Sequence, residues 1–342
     1  MIKNFILALT VLFTFQTVAS QEVASLVENN RWSIEKAEEW YAEHDWITGA
    51  NFIPSTAINQ LEMWQADTFD AETIDRELGF AEEIGFNTMR VYLHSLVYKA
   101  DKEGFKKRIE QYLKIADKHN IKTIFVFFDD VWDANPKIGK QRAPKPGIHN
   151  SGWMQDPGYP ASNNEALFPE LEVYVKDILR TYANDERVLF WDLYNEPGNN
   201  NKGNESLPLL KKVFTWAKEV NPSQPVSVGL WAWNLTDLNA YQALHSDIIT
   251  YHDYESPDWH RRVIELLKSH GRPMICTEYM ARTRNNYFQN TLPMLKEYNV
   301  GAINWGLVNG KTNTIYAWDT PIESGAEPEE WFHDIFRKDG TP

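Results

Sequence analysis

Hydrophobic residues along the chain alternate between two spacings, one typical of buried β-strands and one typical of amphipathic helices. Strand-like segments are short and rich in β-branched and aromatic residues, and they cover residues 47–53, 86–93, 122–128, 188–194, 225–230, 248–251, 273–278 and 301–305. Segments with helical periodicity follow them at 71–84, 106–118, 167–183, 207–220, 235–244, 257–270, 287–298 and 329–336. The first of these helices has Asp70 as a candidate cap and Gly85 at its end.

Eight successive strand–helix units predict a parallel sheet whose strands are joined by helical crossovers. Eight units in roughly 300 residues match the length of a (β/α)8 barrel, or TIM barrel. A doubly wound open sheet is the alternative, but Gly49-Ala50-Asn51 after the first strand is not the glycine-rich phosphate-binding sequence of such folds. We therefore predict an α/β protein with one catalytic barrel over residues 46–342 and an N-terminal helical extension over 21–45.

The first 20 residues have the pattern of an export signal. Lys3 supplies a positive charge, a mainly apolar run covers residues 5–15, and Val18-Ala19-Ser20 offers small residues for cleavage. The apolar run is shorter than the roughly 20 residues that span a bilayer. An uncleaved membrane anchor is the alternative, which the cleavage-like residues disfavour. The sequence thus predicts a secreted or periplasmic protein, cleaved near Ser20, without membrane contact after cleavage.

Composition narrows the class of partner. The formal net charge of −14 becomes −15 when the segment carrying Lys3 is removed, which argues against nucleic acid and anionic membranes as partners. It also disfavours a strongly anionic polymer, unless a local basic cleft reverses the balance. Aromatic residues make up 13% of the chain. Such rings stack on the flat faces of sugars, although a large aromatic core explains the same excess.

In a barrel of this kind the active site lies at the carboxyl ends of the strands. Here those ends carry polar or aromatic residues suited to sugar binding, namely Asn51, Arg90 to His94, Asp129 to Asp133, Asn195-Glu196, Trp231 to Trp233, His252 to Tyr254, Glu278 and Trp305. A random surface would carry many more lysines and glutamates at such positions. This recurrence is harder to attribute to chance than any single motif.

Two carboxylates stand out among these strand ends. Glu196 follows the fourth predicted strand, and Glu278 ends the seventh. Glycoside hydrolysis needs one carboxylic acid that protonates the leaving oxygen and a second carboxylate that attacks the anomeric carbon or activates water. Either glutamate alone is as readily a solvated loop charge or part of an ion pair. Together, on strands that aim at one cavity, they predict a glycosidase.

Five strand-end segments carry recognisable motifs. The segment Trp191-Asp-Leu-Tyr-Asn-Glu-Pro197 resembles the fourth-strand signature of glycoside hydrolase clan A, and Cys276-Thr-Glu-Tyr279 resembles its seventh-strand nucleophile segment. Families 5 and 2 of that clan are the most similar. Similar resemblances hold for Thr88-Met-Arg90, His252-Asp-Tyr254 and Asn304-Trp305 on the second, sixth and eighth strands. Gly49-Ala-Asn-Phe-Ile-Pro54 is similar to the first strand of family 2 mannosidase barrels, but the chain has no room for the β-sandwich domains of that family.

The resemblance implies a role for each matching residue. Glu196 would be the general acid/base and Glu278 the nucleophile, which makes the enzyme retaining. Arg90 would keep Glu278 ionised and oriented, and Tyr254 would hydrogen-bond it. The remaining implied contacts are Asn195 with the sugar 2-hydroxyl, His252 in the wall of the site, and Trp305 as the platform under the sugar at the cleaved bond.

Other candidate binding residues are supported by single positions in the sequence rather than by motifs. Asp129 and Trp132 could bind sugar after the third strand, where the spacing of oxygen ligands does not suit calcium. Trp231 could stack on a sugar, Asn51 ends the first strand, and Lys311 could contact an acidic or hydroxyl group of the substrate. Nine histidines without close pairing give no zinc pattern. We therefore predict no metal and no cofactor.

The predicted function is a secreted retaining β-glycoside hydrolase acting on a plant or algal poly- or oligosaccharide of gluco or manno configuration. The segment 129–164 makes the action exo if it walls off one end of the site, whereas the short loops elsewhere favour an open, endo-acting cleft. A non-catalytic carbohydrate-binding barrel would need one of the two glutamates replaced or misdirected. A transglycosylase shares the glycosyl-enzyme intermediate but excludes water.

Overall fold

The computed structural model describes residues 30–342, and the predicted signal segment lies outside the described residues. Eight strands alternate with helices along the chain. The strands are β1 (Thr48–Asn51), β2 (Thr88–Tyr92), β3 (Lys122–Asp129), β4 (Val188–Asn195), β5 (Val226–Ser227), β6 (Ile249–His252), β7 (Met274–Glu278) and β8 (Gly301–Trp305). All pair in parallel, in the order β5-β4-β3-β2-β1-β8-β7-β6.

Ten α-helices within residues 30–342 surround and connect these strands. They are α1 (Ile34–Ala42), α2 (Gln60–Trp64), α3 (Ala71–Glu83), α4 (Ser95–Ala100), α5 (Lys102–Lys118), α6 (Phe168–Tyr182), α7 (Leu207–Val220), α8 (Thr236–His245), α9 (Pro257–Leu267) and α10 (Phe288–Glu297). Within the part of the chain that the structure describes, no helix combines the length and apolar character needed to cross a membrane.

The sheet closes on itself between β5 and β6. The amide of Leu230 donates to the carbonyl of Thr250 at 2.9 Å, and the amide of His252 donates to the carbonyl of Leu230 at 2.8 Å. These bonds join the two ends of the strand order, so all eight carboxyl ends surround one central space. The predicted (β/α)8 barrel is confirmed.

The lower end of the barrel is filled and covered. Ile124, Phe190, Ile275 and Ile303 pack with each other in the core, together with Trp32, Ala37 and Tyr41 from the segment around α1. The helix α1 begins after Ser33, whose side chain accepts a hydrogen bond from the amide of Lys36. It lies within the region predicted as a helical extension, and its buried face packs against the lower end of the barrel core.

The structure differs from the sequence prediction in four elements: the short helices α2 and α4 were not predicted, and two predicted elements are changed. Strand β5 has two residues, because the side chains of Ser246 and Asp247 accept hydrogen bonds from the amides of Val228 and Val226. The predicted final helix over 329–336 is wrong. There the amides of Phe332 and Ile335 donate to carbonyls of the segment that follows β8, and the chain adopts an irregular conformation along that segment.

Candidate active site

A cavity of about 830 Å³ lies at the carboxyl ends of the strands. Both Glu196 and Glu278 line it, as do Asn195, His252 and Tyr254. Aromatic rings dominate its walls, which include Trp132, Trp153, Trp231, Trp233, Trp259, Trp305 and Trp318. Such a cavity offers flat apolar faces for sugar rings around two carboxylates.

Glu278 ends β7, and both of its carboxylate oxygens accept hydrogen bonds. Its Oε1 accepts hydrogen bonds from Arg90 Nη1 at 2.8 Å and from the Tyr92 hydroxyl at 3.0 Å. Its Oε2 accepts a hydrogen bond from the Tyr254 hydroxyl at 2.7 Å. These contacts fix the orientation of the carboxylate and place a cation beside one of its oxygens. Glu278 therefore has the surroundings that a nucleophile needs.

Arg90, on β2, is fully buried and paired with two carboxylates. Besides Glu278, its guanidinium donates from Nε and Nη2 to Asp192 Oδ2 at 3.0 and 2.8 Å. Opposite charge from Asp192 and Glu278 and the nearby Tyr92 hydroxyl outweigh burial and raise the pKa of Arg90. Its side chain is not part of the cavity wall, so Arg90 orients Glu278 from below.

Glu196 occupies a different environment just beyond the end of β4. Its φ of 45° lies in the left-handed region, which turns the chain away from the strand direction at this residue. His252 Nδ1 lies 2.8 Å from Oε1, and the side-chain amide of Asn199 donates to Oε2. Among residues 30–342, no arginine or lysine forms an ion pair with this carboxylate, in contrast to Glu278. This asymmetry of contacts suits the general acid role for Glu196 and the nucleophile role for Glu278.

The separation of the two carboxylates discriminates between mechanisms. One oxygen of Glu196 and one of Glu278 lie within 4.8 Å of each other, with His252 between them. Retaining glycosidases place their carboxyl groups about 5–5.5 Å apart, whereas inverting ones need about 6.5–9.5 Å to admit a water molecule. The closest approach of the two carboxylates is thus compatible with the shorter spacing of a retaining enzyme.

Asn195 and Asp129 form a second hydrogen-bonded pair beside the glutamates. The Asn195 Oδ1 accepts from Arg90 Nη2 at 2.8 Å, and its Nδ2 donates to Asp129 Oδ1 at 3.0 Å. These two contacts fix the orientation of the amide and leave one Nδ2 hydrogen for a sugar hydroxyl. Asp129 is buried and also accepts from Trp153 Nε1, and burial raises its pKa to about 7.

Trp305 ends β8 and lies in the cavity wall, where the resemblance requires a platform. Its ring contacts Tyr92 and Trp153 edge to face, with centroids 5.9 and 5.6 Å away. Trp231 also lies in the wall and is fixed by a hydrogen bond from Nε1 to the carbonyl of Pro197. Trp132 is the most exposed of the predicted aromatic residues, at 39%, and lies at the rim.

Four predicted substrate-binding residues do not line this cavity, namely Asn51, Arg90, Asp129 and Lys311. Asn51 is buried below the cavity, where it accepts from Arg90 Nη1 at 2.8 Å and donates to the carbonyl of Thr277. Lys311 forms an ion pair with Glu62 at 2.7 Å and is not part of the cavity wall. The contacts of Asn51 suit the positioning of Arg90, and those of Lys311 suit a link between two loops.

Several site residues were given no individual role by the sequence. Tyr92 lies within the strand end Arg90 to His94, two residues beyond Arg90 on β2, so strand alternation places both on the same face and could have shown its role. Asp192 is a charged residue inside an otherwise apolar buried strand, which is a comparable signal. His149 and His333 lie in irregular segments, and no periodicity indicates that they line the cavity.

Glu196, His252 and Glu278 are one group among residues 30–342 with donor atoms close enough to hold a metal ion. However, both oxygens of Glu278 already accept hydrogen bonds, and the Arg90 cation lies 2.8 Å away. A second cation there would meet direct repulsion and a carboxylate whose lone pairs are engaged. The contacts therefore favour an acid–nucleophile pair over a metal centre.

The sequence over residues 48–311 matches the model of the family described as Cellulase (glycosyl hydrolase family 5). No curated protein matches the chain significantly. Among solved structures, GH5_18 from Streptomyces cattleya in complex with GlcNAc has a TM-score of 0.59 at 12% identity, with 86% of this chain and 76% of that chain covered. An alanine variant of GH5_18 from Bifidobacterium longum in complex with Manβ1-4GlcNAc has a TM-score of 0.58 at 13% identity, with 87% and 75% covered.

The hyperthermostable endo-1,4-β-D-mannanase from Thermotoga petrophila RKU-1 is also similar, with a TM-score of 0.56 at 16% identity over 85% of this chain and 95% of that chain. At these identities the likeness to solved structures concerns the fold, whereas the family match spans most of the chain. The predicted resemblance to clan A is confirmed, and the matching family is family 5. The chain belongs to glycosyl hydrolase family 5 and is a retaining glycoside hydrolase.

Proposed function

We propose that this protein is an exported β-glycosidase that hydrolyses gluco- or manno-configured oligo- or polysaccharides of plants or algae by double displacement. The observation that carries the proposal is the pair Glu196 and Glu278, whose oxygens lie within 4.8 Å while their contacts differ in charge. The spacing suits retention, and the contrast in contacts assigns the acid to Glu196 and the nucleophile to Glu278.

In the first step, Glu278 attacks the anomeric carbon while the bond from that carbon to the glycosidic oxygen breaks. Glu196 gives its proton to the departing oxygen, which leaves as a neutral hydroxyl. The sugar becomes an ester on Glu278. Tyr254 and Arg90 hold the attacking carboxylate in place, and Trp305 supports the sugar ring from below.

In the second step, a water molecule attacks the anomeric carbon and the ester bond to Glu278 breaks. Glu196, now ionised, accepts the proton of that water and returns to its initial state. Two inversions at the same carbon leave the product with the configuration of the substrate. Loss of the negative charge on Glu278 in the intermediate favours the ionised form of Glu196, which is the change of role that the second step requires.

His252 is suited to accompany these proton movements. Its Nδ1 lies 2.8 Å from Glu196 and 3.5 Å from Glu278, so it can interact with either carboxylate with only a small displacement. Asn195 retains one amide hydrogen for the sugar 2-hydroxyl, a contact that strengthens as charge develops at the anomeric carbon. Both residues support the proposed mechanism without taking the place of a glutamate.

The proposed substrates are neutral sugars. Aromatic walls and hydrogen-bonding groups suit them, and the acidic chain disfavours an anionic polymer. The structurally similar proteins include an endo-1,4-β-D-mannanase and an enzyme bound to Manβ1-4GlcNAc, which makes β-mannosides the first substrates to test. Export rests on the N-terminal signal pattern alone.

The deciding experiment is a screen of β-mannosides, β-glucosides and defined polysaccharides, with the first-formed product anomer followed by NMR. We expect hydrolysis of a gluco or manno substrate with initial formation of the β-anomer. Initial α-anomer from a β-glycoside would contradict the proposed double displacement. Added acceptor sugar distinguishes a transglycosylase, whose main products would be new glycosides. No turnover of any β-glycoside would overturn the proposal.

A further inference from the structure

The chain turns sharply where it leaves β4, and Glu196 is the first residue of this turn. We call residues 196–203 the Glu196 turn. Five of its residues have positive φ, namely Glu196, Gly198, Asn200, Asn201 and Gly203. Glycine and asparagine adopt such left-handed conformations most readily, whereas glutamate seldom does. A backbone of this kind persists only when surrounding contacts hold it in place.

Asp130, the residue directly after β3, provides four of those contacts through its buried carboxylate. Its Oδ2 accepts a hydrogen bond from the amide of Gly198 at 2.9 Å and another from the hydroxyl of Ser206. Its Oδ1 accepts from the hydroxyl of Tyr194 at 2.8 Å and from the ammonium group of Lys202. These donors lie before, within and after the turn, so one carboxylate joins both of its ends.

The backbone of Asp130 and a neighbouring helix hold the same turn. The side-chain amide of Asn200 donates to the carbonyl of Asp130 at 2.7 Å and to that of Trp132 at 3.0 Å. On the other side, a methyl group added at Gly198 would lie 2.7 Å from Cδ1 of Leu238 in α8. The turn is therefore packed between the end of β3 and α8.

The position of the turn decides where the Glu196 carboxyl group points. Asn199 donates to Glu196 Oε2, and its own Oδ1 accepts from the amide of Asn200, so residues of the turn orient this carboxyl group. Transfer of a proton requires donor and acceptor atoms about 2.6–3.2 Å apart. A displacement of the turn by about 1 Å would therefore slow the reaction strongly, since misplacement of that size can cost about 100-fold in rate.

Glu278 is held by residues from other parts of the barrel. Its carboxylate accepts hydrogen bonds from Arg90 of β2 and from Tyr254 after β6. A change at Asp130 should therefore displace Glu196 and leave the nucleophile in place. Asp130 itself is fully buried and lies outside the cavity wall, so it acts on the reaction through the turn and not through contact with the sugar.

We propose that Asp130 is a positioning residue for the general acid. Its carboxylate fixes the Glu196 turn and thereby aligns Glu196 with the oxygen of the leaving group. This inference deepens the proposed function and rests on it, since Glu196 must be the residue that donates that proton. Asp130→Asn replaces one carboxylate oxygen with an NH2 group, which cannot accept, and removes the charge that pairs with Lys202. The turn should loosen as a result.

The test compares leaving groups that differ in their need for a proton. The measured quantity is kcat/KM, which reports the first chemical step, on dinitrophenyl and phenyl β-glycosides of the sugar that the wild type cleaves. For Asp130→Asn we expect a loss of about 10- to 100-fold on the phenyl glycoside. The dinitrophenyl glycoside departs without a proton and should show little loss. A variant that is only less completely folded loses the same factor on both substrates.

Asp247→Asn is the matched control. Asp247 is a buried carboxylate that pairs with Lys218 and accepts from the amides of Trp32 and Val226, but it precedes β6, at the end of the barrel away from the glutamates. We expect any loss for this variant to be equal on the two glycosides. Active sites counted with a 2-deoxy-2-fluoro glycoside correct both variants for inactive protein.

Glu196→Ala, measured in parallel, separates the inference from the proposed function. Equal losses of Asp130→Asn on both glycosides, while Glu196→Ala loses far more on the phenyl glycoside, would overturn the positioning role alone. Equal losses of Glu196→Ala on both glycosides would reject the acid assignment and the inference together. A larger loss on the phenyl glycoside for Asp130→Asn, with equal losses for Asp247→Asn, is the result that the contacts of Asp130 predict.

Ser206→Ala keeps the inference testable if Asp130→Asn does not fold. It removes a single hydroxyl, which donates to Asp130 and accepts from the amide of Gly198 at 3.0 Å. We expect kcat/KM on the phenyl glycoside to fall by about threefold to tenfold, as for one lost hydrogen bond, with little change on the dinitrophenyl glycoside. Equal losses on the two substrates, or no loss on either, would contradict the role given to the Asp130 carboxylate.

Discussion

The hydroxyl of Tyr92 lies 3.0 Å from Glu278 Oε1 and accepts a hydrogen bond from Arg90 Nη1 at 2.7 Å. It therefore links the cation to the nucleophile while it donates its own hydrogen to that carboxylate. The ring of Tyr92 also packs against Trp305, so this one residue contacts both the nucleophile and the predicted sugar platform.

Tyr92→Phe should lower kcat by about tenfold with little effect on folding, because it removes one hydrogen bond to a charged group and keeps the ring. Steady-state kinetics on an aryl glycoside check this. Tyr174→Phe is a matched control, since the Tyr174 hydroxyl is buried on α6 without a hydrogen-bond partner. Equal activity of Tyr92→Phe and the wild type would contradict the assigned role of the hydroxyl.

Glu196→Ala should affect substrates according to their leaving groups. Loss of general acid catalysis costs about 10²–10⁴-fold for a sugar leaving group, which needs the proton. A dinitrophenyl glycoside needs no proton to depart, so its kcat/KM should change far less. Kinetics on the two substrates give the comparison. Equal losses would argue that Glu196 acts in some way other than as the acid.

Because the Asp156 carboxyl is buried, we expect it to make the free energy of unfolding depend on pH. Burial raises its pKa to about 8, and its oxygens accept from the amide and hydroxyl of Ser95. The unfolded carboxyl releases its proton near the ordinary value of 3.8, whereas the folded protein retains it. The stability contributed by this carboxyl is thus present below about pH 4 and is lost as pH rises to about 8.

Asp156→Asn removes this titration, and its amide can still accept from the Ser95 amide and donate to the Ser95 hydroxyl. We expect the Tm of the wild type, relative to that of Asp156→Asn, to fall between pH 5 and pH 8.5. Scanning calorimetry at the two pH values measures this difference, and other titrating groups cancel in the comparison. A difference in Tm that is the same at both pH values would reject the assignment.

Substitutions of Lys311 and of Asn51 should have different effects on kinetics and stability. Lys311→Ala removes a partly exposed ion pair with Glu62, so we expect unchanged KM and a loss of at most about 1 kcal/mol in the free energy of unfolding. Asn51→Ala leaves Arg90 without one of its acceptors, and kcat should fall. Kinetics and chemical denaturation of both variants test this. A large rise in KM for Lys311→Ala would restore it as a substrate contact.

The sequence predicted the regular elements well, because their signals are local. The helix α3 begins at Ala71 after the cap Asp70, whose side chain accepts from the amide of Thr73, and the chain turns at Gly85 with φ of 85°. Each of these features depends on a few adjacent residues. Placement of Glu196 and Glu278 at strand ends follows from the same alternation of strands and helices.

The irregular segments were not predictable in this way. His149 and His333 meet because backbone and side-chain hydrogen bonds between distant segments fix them, such as those from Thr314 to Asp334 and from Asn150 to Thr312. No periodicity marks such contacts. The same bonds explain why a helix was predicted over 329–336: its hydrophobic spacing is helical, but its amides pair with another segment.

The central claim is that Glu278 forms the glycosyl ester, and trapping that ester tests it most directly. A 2-deoxy-2-fluoro glycoside of gluco or manno configuration with an activated leaving group slows the second step, and peptide mass spectrometry locates the label. We expect one sugar per chain, attached to the peptide that contains Glu278, and no label on Glu278→Ala. A label on Glu196 or on any other residue would contradict the account.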